Sequence, residues 1–509
     1  MDGIAGQTES LWMRTGQLRR LAPLQEDMRA DVCVFGAGIA GVTTAYLLAR
    51  AGKQVVLLDD GPVGGGETGR TTAHLSTALD DRYHVLERLH GPDGARAAAQ
   101  SHGAAIDWIE TTTRELAIDC DFTRLDGFLF APPGKPADIL EAELEAARRA
   151  GVPGVELLTR ATLPSFDTGP CLRFPQQGQF HPLAFLDGLV SAFEALGGRT
   201  LGAHVTTVEA GPPARIATEA GPVVTADFVV CATNTPVIDW LVIHTKQAAY
   251  RTFVIGARVS TDLVPRALYW DTEDPYHYVR LHGDLLIVGG EDHKTGQEDD
   301  GADRFARLES WARQRFPMRQ VEVRWSGQVM EPVDGLAYIG RNPGEKGHVF
   351  IATGDSGQGM THGAIAGMLL SDLILGRRNP WEHLYDPSRK TLRSVGDFVR
   401  ENVNAVSHFV EYVTPGEVPS EAEIGPGHGA IVRSGLHKLA VYRDDAGSVH
   451  RLSAICPHLG CMVHWNSLER TWDCPCHGSR FSPDGAVLNG PAVSGLSEAG
   501  HLGDPSPAR

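Results

Sequence analysis

The chain has 509 residues, of which 42% are hydrophobic and 21% charged, and its formal net charge is −17 at pH 7. This length suffices for two or three domains with a large apolar core. The acidic balance disfavours nucleic acid and anionic membranes as main partners, because both carry negative charge themselves. No run approaches the ~18 apolar residues of a membrane helix, and Arg19-Arg20 precedes no apolar stretch, so neither membrane insertion nor twin-arginine export is predicted.

Four of the eight cysteines are scattered along the chain, and the other four lie in two C-terminal motifs. The scattered cysteines stand in mostly apolar settings and are interpreted as buried thiols. Because they suggest no disulfide framework, the expected location is cytoplasmic. They are Cys33, Cys120, Cys171 and Cys231.

A dinucleotide-binding pattern occupies residues 31–60. Val32 to Phe35 predicts a strand, a glycine-rich turn and a helix pattern follow, and Val55–Leu58 predicts a second strand. The glycines would let the backbone approach a pyrophosphate that the helix N-terminus stabilises. Asp59, followed by Asp60, stands where a carboxylate can accept hydrogen bonds from ribose hydroxyls.

Three later segments favour FAD over NAD. Residues 64–76 form a glycine- and hydroxyl-rich loop in which Arg70 suits a phosphate contact. Residues 229–234 read as a buried strand ending in small residues, and 348–363 as a strand, a glycine turn and a helix start. The candidate cofactor-binding residues are Gly36, Gly38, Ile39, Ala40, Gly41, Asp59, Asp60, Gly66, Arg70, Thr71, Thr72, Ala73, His74, Val205, Ala232, Thr233, Gly354, Gly357, Gly359, Met360 and Thr361.

This pattern resembles the D-amino-acid oxidase, glycine oxidase and sarcosine oxidase superfamily over residues 30–376. The resemblance implies an α/β Rossmann-like FAD-binding domain with an interleaved α+β antiparallel-sheet substrate domain, within residues 1–380. The FAD-binding parts would be 30–82, 151–239 and 326–376, and the substrate parts 83–150 and 240–325. No second Gly-x-Gly-x-x-Gly follows a strand, which disfavours a separate NAD(P)H domain.

Non-covalent FAD is expected from the same resemblance. The cysteine that binds flavin in sarcosine oxidases has no counterpart near residues 357–360. His74 lies one residue away from the position of the flavin-linked histidine in dimethylglycine dehydrogenases.

The candidate substrate residues lie in segment 240–325 and just after it. Alternation along a predicted strand sends Tyr276, Tyr278 and Arg280 to one face, although aromatic residues on strands also pack ordinary cores. Glycine-oxidase-like proteins often carry an arginine, which binds the substrate carboxylate, where this chain has Glu331. An acidic residue there favours an amine over an amino acid.

Residues 391–413 repeat apolar residues at intervals of three and four, from Leu392 to Val413, which predicts an amphipathic helix that docks on the flavin domain. We assign residues 381–424 to a helical linker. The Pro- and Gly-rich stretch 415–427 marks an exposed boundary.

Two cysteine–histidine pairs follow, Cys456-x-His458 and Cys474-x-x-His477. A [2Fe–2S] centre with two Cys on one iron and two His on the other needs one ligand of each kind from each of two loops. Zinc ribbons also use Cys and His at short spacing, but the order of six ligand-type residues, with the neighbouring Gly460, favours the cluster.

Residues 425–496 closely resemble the Rieske domain of cytochrome bc-type complexes, and we assign residues 425–509 to an all-β Rieske domain. The resemblance implies that Cys456, His458, Cys474 and His477 are ligands, with the two histidines nearest to solvent. It also implies a disulfide between Cys461 and Cys476, and a serine hydroxyl near the cluster from Ser479. High-potential members often carry Tyr where this chain has Phe481, so a potential below the top of the family range is expected.

A flavin accepts two electrons at once and a Rieske cluster carries one. The fusion therefore predicts an oxidoreductase that oxidises a C–N bond in an amine or amino acid and passes electrons singly through the cluster to an external one-electron carrier. The alternatives are a reductase running in the opposite direction and a non-catalytic redox sensor.

Overall fold

The computed structural model describes residues 6–132, 138–238, 243–344, 348–390, 412, 414–435 and 437–499. The amphipathic helix predicted for 391–413 lies outside these residues, apart from Tyr412.

A mixed eight-stranded sheet carries the dinucleotide-binding pattern. Its centre is β1 (Met28–Phe35), which pairs in parallel with β2 (Val55–Asp59) and with β10 (Val223–Cys231). β10 also pairs in parallel with β17 (Val349–Thr353), so distant segments of the sequence meet in this sheet. The other strands are β7 (Arg199–Gly202), β8 (Val205–Glu209), β9 (Ala214–Thr218) and β16 (Tyr338–Arg341).

A second, nine-stranded sheet has the order β15-β11-β14-β13-β12-β4-β6-β3, with β5 beside β6. Neighbouring strands are antiparallel except for the parallel pair of β12 and β4. β5 and β6 belong here, although residues 151–239 were grouped with the FAD-binding parts. The strands are β3 (His74–Leu75), β4 (Thr123–Phe130), β5 (Glu156–Leu158), β6 (Cys171–Gln179), β11 (Gln247–Arg258), β12 (Leu268–Asp271), β13 (His277–His282), β14 (Leu285–Lys294) and β15 (Val321–Pro332).

Helices cover the first sheet, and two of them pack closely. A Cβ on Gly367 of α7 would lie 2.1 Å from Cγ2 of Thr43 in α2, so the glycine permits close contact of the two helices. A Cβ on Gly363 of α7 would likewise lie 2.4 Å from Cγ2 of Ile39, the first residue of α2, so the helices are also close near their N-terminal ends. The helices are α1 (Leu11–Thr15), α2 (Ile39–Arg50), α3 (Tyr83–Glu115, kinked at Gly91), α4 (Asp138–Arg149), α5 (Pro182–Ala195), α6 (Gly301–Arg313), α7 (Gly359–Ile374) and α8 (Glu382–Tyr385).

The C-terminal part is built from two small antiparallel sheets around its own apolar core. This architecture confirms the predicted fold class, with mixed sheets in the main body and an all-β C-terminal domain. The strands are β18 (His428–Ser434), β19 (His437–Arg443), β20 (Val449–Ser453), β21 (His464–Asn466), β22 (Thr471–Asp473), β23 (Arg480–Phe481) and β24 (Val487–Asn489).

Two expectations from composition can be compared with the described residues. None of their helices is both long and apolar enough to cross a membrane. The four scattered cysteines are buried and outside the disulfide of the described residues, in agreement with their interpretation as buried thiols.

Candidate functional site

The glycine turn after β1 is shaped to receive a phosphate group. Gly36 has φ of +100°, and Gly38 is the N-cap of α2. A Cβ on Gly41 would lie 1.9 Å from the Gly36 carbonyl oxygen, so only glycine permits this turn. Thr68, which sequence reasoning missed, accepts a hydrogen bond from the Ile39 N–H at 3.1 Å. The cradle fits the pyrophosphate of a dinucleotide.

Asp59, at the end of β2, holds the loops around this turn. Its two carboxylate oxygens accept hydrogen bonds from the N–H groups of Ala37 (2.5 Å) and Gly61 (2.7 Å). Burial, with the neighbouring charge of Asp60, raises the pKa of Asp59 to about 7. The predicted ribose contact stays a prediction.

One cavity runs from the glycine turn to the second sheet, and most of the candidate cofactor residues line it. Gly41, Ala73, Val205, Gly354 and Thr361 lie outside the lining. Sequence reasoning missed Asn234, Thr353 and Asp355. Asn234 follows β10, Thr353 ends β17 and Asp355 follows it. Their position at the end of a buried strand could have identified them as cavity residues from the sequence. The candidate residues in the lining are Gly36, Gly38, Ile39, Ala40, Asp59, Asp60, Gly66, Arg70, Thr71, Thr72, His74, Ala232, Thr233, Gly357, Gly359 and Met360.

The end of the cavity under the second sheet is acidic and aromatic. Tyr276 and Tyr278 line it, with ring centroids 5.5 Å apart. The Tyr276 hydroxyl donates to Asp80 Oδ2 at 2.9 Å, and the Tyr278 hydroxyl lies 2.6 Å from Thr252 Oγ1. Asp292 on β14 also lines this end, and its Oδ1 atom is buried with no hydrogen-bond partner among the described residues.

Burial dominates the electrostatics of these acids. It raises the pKa of Asp80 to about 6, and those of Asp292 and Asp355 to about 7. Asp80 contributes to the rise at both other carboxyl groups by like-charge repulsion. The pocket therefore favours a cation, which would stabilise the ionised form of each acid.

Arg280 does not share the pocket with the two tyrosines. Its guanidinium donates to the carbonyl oxygens of Thr72 (3.0 Å) and Ala73 (2.7 Å), and burial lowers its pKa to about 9. The carbonyl groups of the loop hold this long side chain outside the cavity lining.

Glu331 also lies outside the lining. The Ser356 hydroxyl is 3.1 Å from Glu331 Oε2 and 2.7 Å from Asp81 Oδ2. Burial, with the charges of Asp81 and nearby acids, raises the pKa of Glu331 well above its ordinary value. Besides Asp59, Asp60 and Glu67, the acids that line the cavity are Asp80, Asp292 and Asp355.

The two C-terminal loops bring the predicted cluster ligands together. Cys456 and Cys474 are 1% and 2% exposed, and the imidazole centroids of His458 and His477 are 5.0 Å apart. The Nδ1 atom of His477 is buried with no hydrogen-bond partner among the described residues. Two buried free thiols beside two imidazoles are the donor set of a Rieske cluster, so these residues fit a [2Fe–2S] centre.

The surroundings of these loops agree with the resemblance. Cys461 and Cys476 form a disulfide. Hydrogen bonds from Cys474, which has the larger effect, and from Ser479 lower the pKa of the Cys456 thiol. Phe481 is fully buried in the core of the domain and brings no hydroxyl.

Both imidazoles are in ring contact with the main body. His244, in the short 3₁₀ turn His244–Lys246, has its ring centroid 4.8 Å from that of His458 and 5.9 Å from that of His477. His477 is only 9% exposed. His458 is half-buried, and the ligand cysteines are only 1% and 2% exposed, so the histidines are the more exposed ligands in this docked arrangement too.

A buried ionic network joins the main body to the C-terminal domain. The Arg70 guanidinium donates to Thr8 Oγ1 and to the Ser326 carbonyl, both at 2.9 Å, and lies 3.5 Å from Glu469 Oε1. Arg251 lies 3.8 Å from the same carboxylate oxygen. Burial alone would raise the pKa of Glu469, but the three guanidiniums of Arg70, Arg251 and Arg480 lower it to about 2. The Arg70 guanidinium is thus engaged at the domain boundary, and its predicted phosphate contact stays a prediction.

The C-terminal domain also closes the cavity. Residues 487–490 and Ala492 are part of its lining. The side-chain amide of Asn489 donates to Glu67 Oε1 at 3.3 Å, and that of Gln328 donates to the Gly478 carbonyl at 3.1 Å. The cluster loops and the proposed flavin cavity are therefore neighbours.

Comparison with known proteins agrees with this arrangement. The sequence model of the family described as FAD dependent oxidoreductase matches residues 31–373, and that of the Rieske [2Fe-2S] domain matches residues 415–499. The chain belongs to the FAD-dependent oxidoreductases. It is an enzyme whose cofactors are FAD and a Rieske [2Fe–2S] cluster, and it is related to amine and amino-acid oxidases.

Three similar proteins illustrate the relationship. The putative Rieske 2Fe-2S iron-sulfur protein YhfW of Bacillus subtilis is 30% identical over 96% of this chain and 97% of its own length. Gamma-glutamylputrescine oxidoreductase of Escherichia coli is 28% identical over 73% of this chain and 91% of its own. The structure of glycine oxidase from Geobacillus kaustophilus has the same fold over 71% of this chain and 99% of its own, with a TM-score of 0.61 and 18% identity.

Proposed function

We propose that this oxidoreductase is a dehydrogenase that oxidises a C–N bond of a small amine and passes the electrons one at a time through the Rieske cluster to an external one-electron carrier. The observation that carries the proposal is the position of the cavity. One end is an acidic, tyrosine-lined pocket, and another wall is the cluster domain itself.

The cofactors would supply hydride acceptance at FAD and one-electron transfer at the cluster. The residues proposed to hold the cluster are Cys456, His458, Cys474 and His477. The glycine turn and the loop of residues 64–74 would hold FAD without a covalent bond. The protein would contribute orientation, a closed cavity and charged groups.

The lining favours an ammonium group over a carboxylate. Asp80, Asp292 and Asp355 all reach the cavity, whereas the one arginine among the described lining residues, Arg70, has its guanidinium bonded to Thr8 and to the backbone. A substrate carboxylate would meet repulsion there, and a substrate ammonium would be attracted. The name of the relative gamma-glutamylputrescine oxidoreductase, which identifies an amine derivative, supports the same substrate class.

Asp292 is the best-placed proton acceptor. An amine gives hydride only as the neutral base, so its ammonium proton must leave first. Asp292 has a buried oxygen atom with no hydrogen-bond partner among the described residues, and burial brings its pKa to about 7, near the value that suits a general base at neutral pH. Tyr276 and Tyr278 would orient the substrate over the cofactor.

Anaerobic mixing with a series of amines, diamines and amino acids tests the proposal. We expect amines to bleach the flavin absorbance first and the cluster absorbance second. Asp292→Asn should slow flavin bleaching by about a hundredfold, the size usual for loss of a general base. Asp284→Asn, on the exposed turn of the same hairpin, should not. Reduction only by an external one-electron donor, with no response to any amine or amino acid, would contradict the proposal and favour the reverse direction.

A further inference from the structure

One histidine of the main body, His244, is in ring contact with both ligand imidazoles of the cluster loops. His244 is 2% exposed, and both ring contacts are edge contacts. The three rings have centroids 4.8, 5.9 and 5.0 Å apart, so they form one continuous aromatic cluster. His244 is the member that belongs to the main body.

The turn that carries His244 is held firmly. The Lys246 ammonium donates to the carbonyl oxygens of Pro387 (2.8 Å) and Arg389 (3.1 Å), and the Lys246 carbonyl accepts a hydrogen bond from the Val333 N–H at 2.9 Å. The turn that carries His244 is therefore anchored to the main body through Lys246.

The same turn is joined to the cavity wall within three residues. Gln247 follows it, and its side-chain amide donates to Thr353 Oγ1 at 3.1 Å. Its Oε1 atom lies 3.1 Å from the place where a Cβ on Gly354 would be. Thr353 lines the cavity, and Gly354 begins the glycine turn assigned to the flavin. Residues 353–354 at the cavity therefore contact Gln247, which lies three residues after His244 in the chain, and His244 contacts the cluster ligands.

We propose that His244 is a positioning residue for electron exchange, which fixes the ligand imidazoles against the main body and bridges them to the flavin cavity. The proposal deepens the proposed function and rests on it. FAD reduced by two electrons would give them up one at a time, and each electron would reduce one ferric ion of the oxidised cluster to ferrous. The external carrier would reoxidise the cluster after each transfer, so that two transfers would return both cofactors to the oxidised state, with the protons released to solvent.

A simple packing role would be served equally well by another ring of similar size. The informative variant is therefore His244→Phe, which keeps the aromatic volume and removes both ring nitrogens. His244→Ala removes the contact altogether. His293→Phe is the matched control. His293 also belongs to the main body, and its ring stacks on that of Phe253 with the centroids 5.6 Å apart and has no ring contact with a cluster ligand.

The holoenzyme can be tested without a known substrate. Flash photoreduction with a soluble deazaflavin delivers single electrons, and absorbance then follows their exchange between flavin and cluster. A redox titration and the electron paramagnetic resonance spectrum of the dithionite-reduced cluster report on the ligands themselves.

We expect His244→Ala to slow the exchange by about tenfold or more. His244→Phe should shift the cluster potential and the g values, because second-shell groups tune a metal centre through its ligands. His293→Phe should change neither quantity. Wild-type exchange rates, potential and spectrum in both His244 variants would overturn the inference while leaving the proposed function intact. Absence of any exchange between flavin and cluster in the wild type would overturn both.

Discussion

The buried carboxylate of Glu469 offers a quantitative test of how the cluster domain is joined to the main body. Its side chain is fully buried and lies 3.5 Å from Arg70 and 3.8 Å from Arg251. Its pKa falls from 4.5 to about 2 in the folded protein, which corresponds to about 3 kcal/mol of stabilisation of the ionised form. Breaking a buried pair by removing one partner typically costs about 3–5 kcal/mol, because the remaining charges lose their compensation. Glu469→Gln should therefore lower the free energy of unfolding by about 3 kcal/mol.

The control is Glu421→Gln, in the same domain, where the carboxylate pairs with Arg451 on the surface with side chains 30% and 47% exposed. Such a pair contributes less than about 1 kcal/mol. Visible circular dichroism of the cluster, followed against urea, measures both variants in the holoenzyme. Equal urea midpoints for the two variants would refute the view that the ionic network docks the cluster domain.

Four further results are expected. Because folding lowers the pKa of Glu469, its contribution to stability is present above about pH 4.5 and is lost as the pH falls toward about 2. Acid titration followed by the circular dichroism of the cluster should show this loss in the wild type and not in Glu469→Gln. His204 of the main body bridges Asp60 (2.8 Å) and the Val493 carbonyl of the C-terminal domain (3.1 Å), and the hydrogen bond to Asp60 raises its pKa from 6.5 to about 9. The stability that this bridge contributes is therefore complete below pH 6.5 and is lost as the pH rises through about 9, and His204→Gln should remove this alkaline dependence of the urea midpoint. Gly41→Ala should abolish FAD retention, measured by absorbance after gel filtration, because its Cβ would overlap a backbone carbonyl. Cys461→Ser opens a disulfide with a sequence separation of 15 and should lower domain stability by about 3 kcal/mol, measured by urea denaturation.

Matched substitutions separate these effects from general damage. Gly103→Ala, in α3, places a Cβ where no atom lies within 4 Å and should leave FAD binding unchanged. Cys120→Ser replaces a free cysteine of the main body and should not affect the cluster domain. His437→Gln, at an exposed site of β19, should keep the alkaline dependence. A Gly41→Ala protein that retains FAD, or a Cys461→Ser protein of wild-type stability, would contradict the corresponding geometry.

The features that sequence could predict are those encoded within a short segment. The glycine turn from Gly36 to Gly41 and the two Cys–His loops are local patterns in which residue type and spacing carry the chemistry. Tyr276, just before β13, and Tyr278, within it, were named from one short segment, and both line the cavity. Arg280 shows the limit, since the face of a strand is predictable but the carbonyl groups that capture a long side chain are not.

The pocket acids and the domain boundary depend on tertiary packing. Asp80 and Asp292 come from a loop and a strand far apart in the chain, and no periodicity brings them together. Arg70 was interpreted as a phosphate ligand because it lies in a glycine-rich loop. Only the folded structure places its guanidinium within 3.5 Å of Glu469 near the other end of the chain.

The loop of residues 64–74 links cofactor binding to domain docking. Its residues line the cavity, while its Glu67 accepts hydrogen bonds from the Gln328 N–H at 2.6 Å and from the Asn489 amide at 3.3 Å. Arg70, in the same loop, reaches Glu469 of the cluster domain. A group bound in the cavity would order this loop, and an ordered loop presents Glu67 and Arg70 to the cluster domain. FAD binding and docking of the cluster should therefore reinforce each other, since both stabilise the same loop conformation. The fusion then does more than tether two redox modules, because the segment proposed to hold the flavin also holds the cluster domain against the cavity.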